Sequence, residues 1–127
     1  MPKKQKYASK VGLPPGALVY VGEPRTGATK ISVMDFSAHH FDEVTVKSIA
    51  ECKVCGNENS TTWVDVDSIH NVDIIEQLGE FFKIDQLLLE DVLNTQHRPT
   101  FEEHDNYLYL SLKAFYKTEE KSQPVIQ

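Results

Sequence analysis

The chain has 127 residues, of which 40% are hydrophobic and 25% are charged, and its formal net charge is -6. This size and composition are typical of one globular domain with a single core. Four of the 13 basic residues fall within the first ten positions, so the remainder holds nine basic and 19 acidic residues. Such an acidic body repels phosphate backbones and attracts cations, which argues against nucleic-acid binding as the main task.

Residues 1–10 form a flexible basic lead-in in this interpretation, with contact to a membrane surface as the alternative. No apolar run approaches the roughly 18 residues that a membrane span requires, and the start lacks the apolar stretch of a secretory signal. The chain as given is therefore expected to be soluble and intracellular.

The two cysteines lie in the segment Cys52-Lys53-Val54-Cys55. A zinc site would need two further ligands, and a thioredoxin-like motif would stand between a strand and a helix. The pattern favours a loop with two reduced thiols; a metal contribution and redox work are the alternatives.

The first half of the chain predicts strands. Gly12–Gly16 is a proline-stiffened turn, and the short apolar run 17–22 predicts a first strand. Alternating apolar residues predict two more strands at 30–37 and 41–49. Residues 51–61 are polar and predict a surface loop.

The middle of the chain predicts a strand at 62–67 and then two helices. In the strand, the valines face opposite to Trp63 and the aspartates. Asn71 can cap a first helix, and Asp85 can cap a second, leucine-rich helix. The pattern places Glu90 and Asp91 opposite most of those leucines.

After Pro99, residues 101–105 predict a short strand, and 107–116 give the strongest strand signal, with leucines on one side and tyrosines on the other. The chain then ends soon after its best central strand, so we expect it to be cut within the domain.

Asp65 and Asp67 lie about 7 Å apart on one strand face, a spacing that can hold Mg²⁺ for phosphoryl or glycosyl transfer. Short Asp-x-Asp runs at strand ends often only begin a turn or cap a helix. No glycine-rich phosphate cradle accompanies the pair. A free-standing Mg²⁺-dependent enzyme therefore stays an alternative hypothesis.

Glu90 and Asp91 form the second acidic pair. Adjacent carboxylates on a short helix are commonly just solvated, although they are also the hard oxygen ligands that Mg²⁺ accepts. From the residues alone, the sequence predicts an α+β or α/β domain with an acidic surface.

Four ordered segments together resemble the cytoplasmic amino-terminal domain of CorA magnesium transporters. They are KVGLPPGALVYVG at 10–22, TTWVDVDSIHNVDIIEQLGEFFKID at 61–85, LLLEDVLNTQHRP at 87–99 and YLYLSLKAFY at 107–116. The most specific part is the Leu-Glu-Asp-x-Leu-Asn-x-x-x-Arg-Pro block that begins at Leu89. The resemblance covers most of the chain.

The resemblance implies a mixed β-sheet flanked by helices, the first part of an α/β/α sandwich. It assigns 11–127 to a CorA-like cytoplasmic domain that is truncated at its C-terminal end. For the intact protein it implies a stalk helix, two transmembrane helices and assembly as a homopentamer. This domain would then lie at the cytoplasmic face of the membrane. The family's Gly-Met-Asn signature is absent, so this chain is expected not to conduct ions by itself, and no enzyme activity is implied.

The resemblance also implies a regulatory divalent-cation site between neighbouring subunits. Its ligands in this chain would be Glu90, Asp91 and the backbone carbonyl of Leu13. The implied cation is Mg²⁺, with Co²⁺ as an alternative, and binding by this fragment is expected to be weak or absent. The cargo would be magnesium, with cobalt or nickel as alternatives. A zinc-transporting relative of the same fold and a plain interaction module exposing a sheet edge are competing hypotheses.

Overall fold

The computed structural model describes residues 11–23, 25–54, 58–116 and 125–126. The chain divides into two compact units, Met1–Thr95 and Gln96–Gln127. The lead-in at 1–10, together with Pro24 and Cys55, lies outside the described residues. The folded part combines β-sheets with two α-helices, so the predicted α+β fold is confirmed.

The first unit is built on a three-stranded antiparallel sheet. Its strands are β1 (Ile31–Phe36), β2 (Phe41–Val46) and β3 (Thr61–Val66), and β1 lies in the centre. All three strands were predicted from their alternating apolar residues. A 3-10 helix, Ile49–Val54, follows β2 where the sequence had indicated a surface loop from residue 51 onwards. The loop prediction was therefore wrong for its first residues, because Cys52 is buried in the core, and the strand predicted at 41–49 ends at Val46, with Ile49 beginning the 3-10 helix.

One face of this sheet carries the first core cluster. Ile31 and Val33 of β1 are almost fully buried together with Val46, Ile49 and Cys52. In β3 the two valines are half-buried, whereas Trp63 and Asp65 are exposed on the opposite face. The predicted alternation of β3 is confirmed.

Two helices follow the sheet: α1 (Val72–Phe82) and α2 (Gln86–Val92). Half-buried apolar residues of α1 pack against the first core cluster. Ile75, also of α1, belongs to a second cluster with Leu89 and Leu93. Asp85 caps α2 as predicted, because its carboxylate accepts a hydrogen bond from the amide of Leu87 at 2.8 Å. Asn71 stands at the N-cap of α1, but its side chain makes no capping bond.

The segment 17–22 does not form the predicted strand. Its backbone makes an isolated parallel bridge between Val21 and Asn94, while Leu18 and Tyr20 pack against the second core cluster. The side chains of this apolar run therefore pack into the core beside α2. Of the three strands predicted at the start of the chain, the second and third form, as β1 and β2.

The second unit contains two antiparallel ladders. β4 (Thr100–Glu103) pairs with β5 (Leu108–Ser111), and β6 (Phe115–Tyr116) pairs with β7 (Val125–Ile126). The strand predicted at 107–116 is thus interrupted after Ser111, because β4 offers only four residues with which β5 can pair. The predicted alternation holds, but the leucine side is exposed and the tyrosine side is half-buried.

Candidate functional site

Glu90 and Asp91 lie near the C-terminal end of α2, directly after two buried leucines. Leu88 and Leu89 are 5% and 6% exposed and anchor the helix in the protein. Glu90 and Asp91 are half-buried, so their carboxylates are less solvated than carboxylates on a fully exposed helix face. The sequence pattern placed the two carboxylates on the face opposite most leucines of α2, but it predicted that the carboxylates would be more exposed than they are.

The turn in the N-terminal segment has the geometry that its sequence demands. The amide of Ala17 donates to the carbonyl of Pro14 at 3.2 Å, which closes a four-residue β-turn. Gly16, at the third position, has φ +81°. Proline at the second position and a glycine of positive φ at the third are the signature of a type II turn.

This turn contacts the acidic pair directly. The backbone amide of Gly16 donates a hydrogen bond to Oε2 of Glu90 at 2.9 Å, across 74 residues of sequence. Gly16 is buried and Glu90 is half-buried, so the bond is largely screened from water. Charge-assisted hydrogen bonds of this kind are stronger than neutral ones. The structure therefore brings Glu90 together with the loop that contains Leu13.

A second set of bonds fixes the other end of the same segment. The amide of Val21 donates to the carbonyl of Leu93 at 2.9 Å, and the carbonyl of Val21 accepts from both the amide and the hydroxyl of Thr95. The segment between Gly16 and Val21 is consequently held against α2 and its C-terminal continuation at two points. The turn was predicted, and the resemblance assigned Leu13 and Glu90 to one site, but neither the Gly16 bond nor the attachment at Val21 was predicted.

The sequence assigned to a hard cation the carboxylates of Glu90 and Asp91 and the carbonyl of Leu13, and the Glu90 carboxylate is bonded to the turn that follows Leu13. Mg²⁺ takes six oxygen ligands and commonly keeps several waters, so two carboxylates and a carbonyl can supply part of such a shell. Among the described residues, no group of three or more histidine, cysteine or acidic side chains is arranged to hold a metal ion. The candidate site in this chain is therefore a partial one.

The other acidic pair is placed differently. The amide of Lys30 donates to Oδ1 of Asp67 at 2.9 Å, and the amide of Asp67 donates to the carbonyl of Lys30 at 3.1 Å. These bonds tie the start of β1 to the end of β3. Asp65 is exposed on the outer sheet face. Asp67 thus has a structural task that accounts for its position without catalysis.

Cys52 is buried in the first core cluster as a free thiol, and its sulfur lies 3.9 Å from the carbonyl of Ser48. This corresponds to the predicted reduced thiol. Its location in the core, rather than in a loop, is explained by the 3-10 helix that carries it.

A buried polar cluster on β1 was not predicted. Asp35 is 7% exposed, and its Oδ1 accepts from the hydroxyls of Ser60 and Thr62 at 2.8 and 2.9 Å. His40 stands 3.7 Å from the other carboxylate oxygen. The sequence signal was an aspartate at an inward position of a strand, flanked by apolar residues with the same orientation. The cluster joins β1 to β3 and to the turn before β2.

Within the part of the chain that the structure describes, no helix combines the length and the apolar character that crossing a bilayer requires. Residues 58–126 match the family model described as CorA-like Mg²⁺ transporter protein. The cobalt/magnesium transport protein CorA of Thermotoga maritima is 36% identical to this chain over 113 residues. That alignment covers 89% of this chain and 32% of the relative, so the chain spans about a third of the relative's length. The chain belongs to the CorA-like Mg²⁺ transporter family.

Proposed function

We propose that this chain is part of the cytoplasmic, divalent-cation-sensing region of a CorA-type transporter. Family membership supports the transporter setting. The observation that carries the sensing role is the bond between Gly16 and Glu90, because it joins an acidic helix to a carbonyl-bearing loop. Transport itself belongs to the longer protein, with magnesium as the cargo and cobalt or nickel as alternatives.

In this proposal Glu90 and Asp91 supply carboxylate oxygens to a regulatory Mg²⁺, and the backbone carbonyl of Leu13 supplies a third oxygen. Leu13 directly precedes the turn that contacts Glu90, which supports its assignment. Waters and groups of a neighbouring subunit in a homopentamer complete the shell, since the ion prefers six oxygens. Co²⁺ occupies the same site as an alternative cation.

The regulatory effect follows from linkage. A cation that binds the assembled, closed arrangement much more tightly than a single chain stabilises that arrangement by up to RT ln(1 + [L]/Kd) at each site. When the Mg²⁺ concentration falls, the site empties and the carboxylates of adjacent subunits repel one another, which favours opening. Several equivalent sites acting on one assembly supply the several kcal/mol that a steep population shift requires.

The test is an NMR titration of the 127-residue chain with Mg²⁺ and Co²⁺, following each backbone amide. Wild type is compared with the double variant Glu90→Gln/Asp91→Asn. We expect weak, saturable shifts of the amides of Leu13, Gly16, Glu90 and Asp91 that disappear in the variant. The matched control is Asp42→Asn/Glu43→Gln, because it removes the same charge from an adjacent, exposed acidic pair on β2.

The outcome also separates the competing hypotheses. Shifts that persist in Glu90→Gln/Asp91→Asn, or that vanish equally in the β2 control, contradict the assigned ligands. Shifts centred on Asp65 and Asp67 favour the enzyme hypothesis, which the bonds between Asp67 and Lys30 do not support. Ion uptake by the longer protein, reconstituted in vesicles, then compares Mg²⁺, Co²⁺, Ni²⁺ and Zn²⁺ as cargo.

A further inference from the structure

The turn that contacts Glu90 has a single backbone donor left for contacts outside itself. Pro14 and Pro15 carry no N–H group, and the amide of Ala17 is used to close the turn. Gly16 supplies the remaining amide, and this amide donates to Glu90. The sequence of the turn thus determines which atom meets the carboxylate.

The backbone conformation at Gly16 explains why glycine occupies this position. Its φ of +81° lies in the region that L-residues with a side chain rarely adopt. Space is not the restriction, because an added Cβ would lie 3.5 Å from the nearest atom, Cγ of Gln86. A substitution at Gly16 therefore acts mainly by opposing the turn conformation, and with it the direction of the amide.

The downstream attachment limits how the turn can respond. Val21 is bonded to Leu93 and Thr95, on the chain that continues from α2. When the bond to Glu90 is broken, the short segment from Gly16 to Val21 remains attached at its far end. The packing of Leu18 and Tyr20 against the second core cluster also holds this segment in place.

We infer that Gly16 is a positioning residue, whose amide orients the Glu90 carboxylate for a divalent cation, so that cation occupancy and closure of the Pro14–Ala17 turn are coupled. This inference rests on the proposed function of Glu90. Orienting the carboxylate beforehand removes part of the ordering cost of binding. By reciprocity, a bound cation favours the closed turn to the same degree that the closed turn favours the cation.

Two measurements on the full 127-residue chain test the coupling, with Mg²⁺ alone as the probe. The first leaves Gly16 unchanged: hydrogen exchange of its amide slows when Mg²⁺ is added to wild type, and this slowing is lost in Glu90→Gln. The second compares Kd for Mg²⁺ between wild type and Gly16→Ala. We expect about a tenfold weaker Kd, because forcing an L-residue into this region costs about the free energy of a tenfold change in an equilibrium constant.

The matched control is Gly27→Ala. Gly27 also has a positive φ, +120°, and an added Cβ there would meet nothing within 4 Å. It carries backbone strain in a different loop and makes no bond to Glu90 among those described. We expect its Kd to stay within about twofold of wild type. Gly16→Asn should restore part of the affinity, because asparagine tolerates the left-handed region better than alanine.

The outcomes distinguish the two levels of the argument. If wild type shows no Mg²⁺-dependent shift at Glu90 and Asp91, both the proposed function and this inference are overturned. If wild type binds and Glu90→Gln does not, while Gly16→Ala keeps the wild-type Kd and the Gly16 amide exchanges at the same rate with and without Mg²⁺, only the positioning role is overturned.

Discussion

Gly79 of α1 packs directly against the side chain of Leu89 of α2. A Cβ added at Gly79 would overlap Cδ1 of Leu89 and would lie 3.2 Å from its Cγ. Both residues are buried, and Leu89 belongs to the second core cluster. Because α2 carries Glu90 and Asp91, this close helix contact sets where the candidate site lies relative to α1.

Replacing Gly79 by alanine should destabilise the protein by about 1–3 kcal/mol, since the added methyl group overfills a packed contact. The expected loss is a net effect, because the higher helix propensity of alanine alone would stabilise α1 by about 1 kcal/mol. Urea unfolding followed by circular dichroism measures the difference. The control Gln77→Ala, at an exposed position of α1, should change the free energy of unfolding by no more than about 0.5 kcal/mol. A more stable Gly79→Ala variant would show that Leu89 can move aside freely.

The two aspartates of the Asp-x-Asp run should behave differently. Asp67→Ala removes the acceptor of the Lys30 amide and should cost about 0.5–1.5 kcal/mol of stability. Asp65→Ala, on the exposed face, should stay within about 0.5 kcal/mol of wild type. Chemical denaturation of both variants provides the comparison, and Asp67→Asn is the conservative control because it keeps an oxygen acceptor. Equal losses at the two positions would contradict the structural role of Asp67.

The elements with clear periodicity were predictable from the sequence, and their partners were not. Alternating apolar residues identified β1 and β3 and, less regularly, β2, and a leucine-rich run with a capping Asp85 identified α2. The run 17–22 failed as a strand because an apolar stretch indicates burial without saying whether the backbone pairs. Its side chains fill the core, whereas its backbone pairs only at Val21 among the described contacts.

The candidate site shows the same limit. The Pro14-Pro15-Gly16 sequence predicts a proline-stiffened turn, and the pattern of α2 separates Glu90 from the core leucines. Nothing local to either segment indicates that they meet, because the bond joins residues that are 74 positions apart. Likewise, Asp35 was visible as an inward aspartate, but its hydroxyl partners are Thr62 of β3 and Ser60 just before that strand, which follows a long connection.

Asp35 offers a test of the buried polar cluster. Asp35→Ala removes the acceptor of two hydroxyl groups in a nearly buried environment and should cost about 1–3 kcal/mol. Asp35→Asn keeps Oδ1 as an acceptor and should cost less. A double-mutant cycle with Thr62→Val measures the coupling, which we expect to reach at least about 0.5 kcal/mol because the two side chains are in direct contact. Strict additivity of the two single variants would argue against the bond between them.

Leu93 and Leu110 form a matched pair for the last prediction. Leu93 is fully buried in the second core cluster, whereas Leu110 is 59% exposed on β5, directly opposite the exposed Phe101 of β4. Leu93→Ala should therefore cost about 2–5 kcal/mol, from lost burial and from the cavity that remains. Leu110→Ala should cost well under half of that, because most of its surface is already in water.

Thermal unfolding at two protein concentrations decides what the exposed leucine side of β5 does in solution. A small loss for Leu110→Ala that is independent of concentration agrees with a solvent-exposed face. A loss as large as that of Leu93→Ala would contradict it and would mean that another surface covers the leucines. If that loss also grew with protein concentration, the covering surface would be a second copy of the chain, because only an intermolecular contact gains stability by mass action.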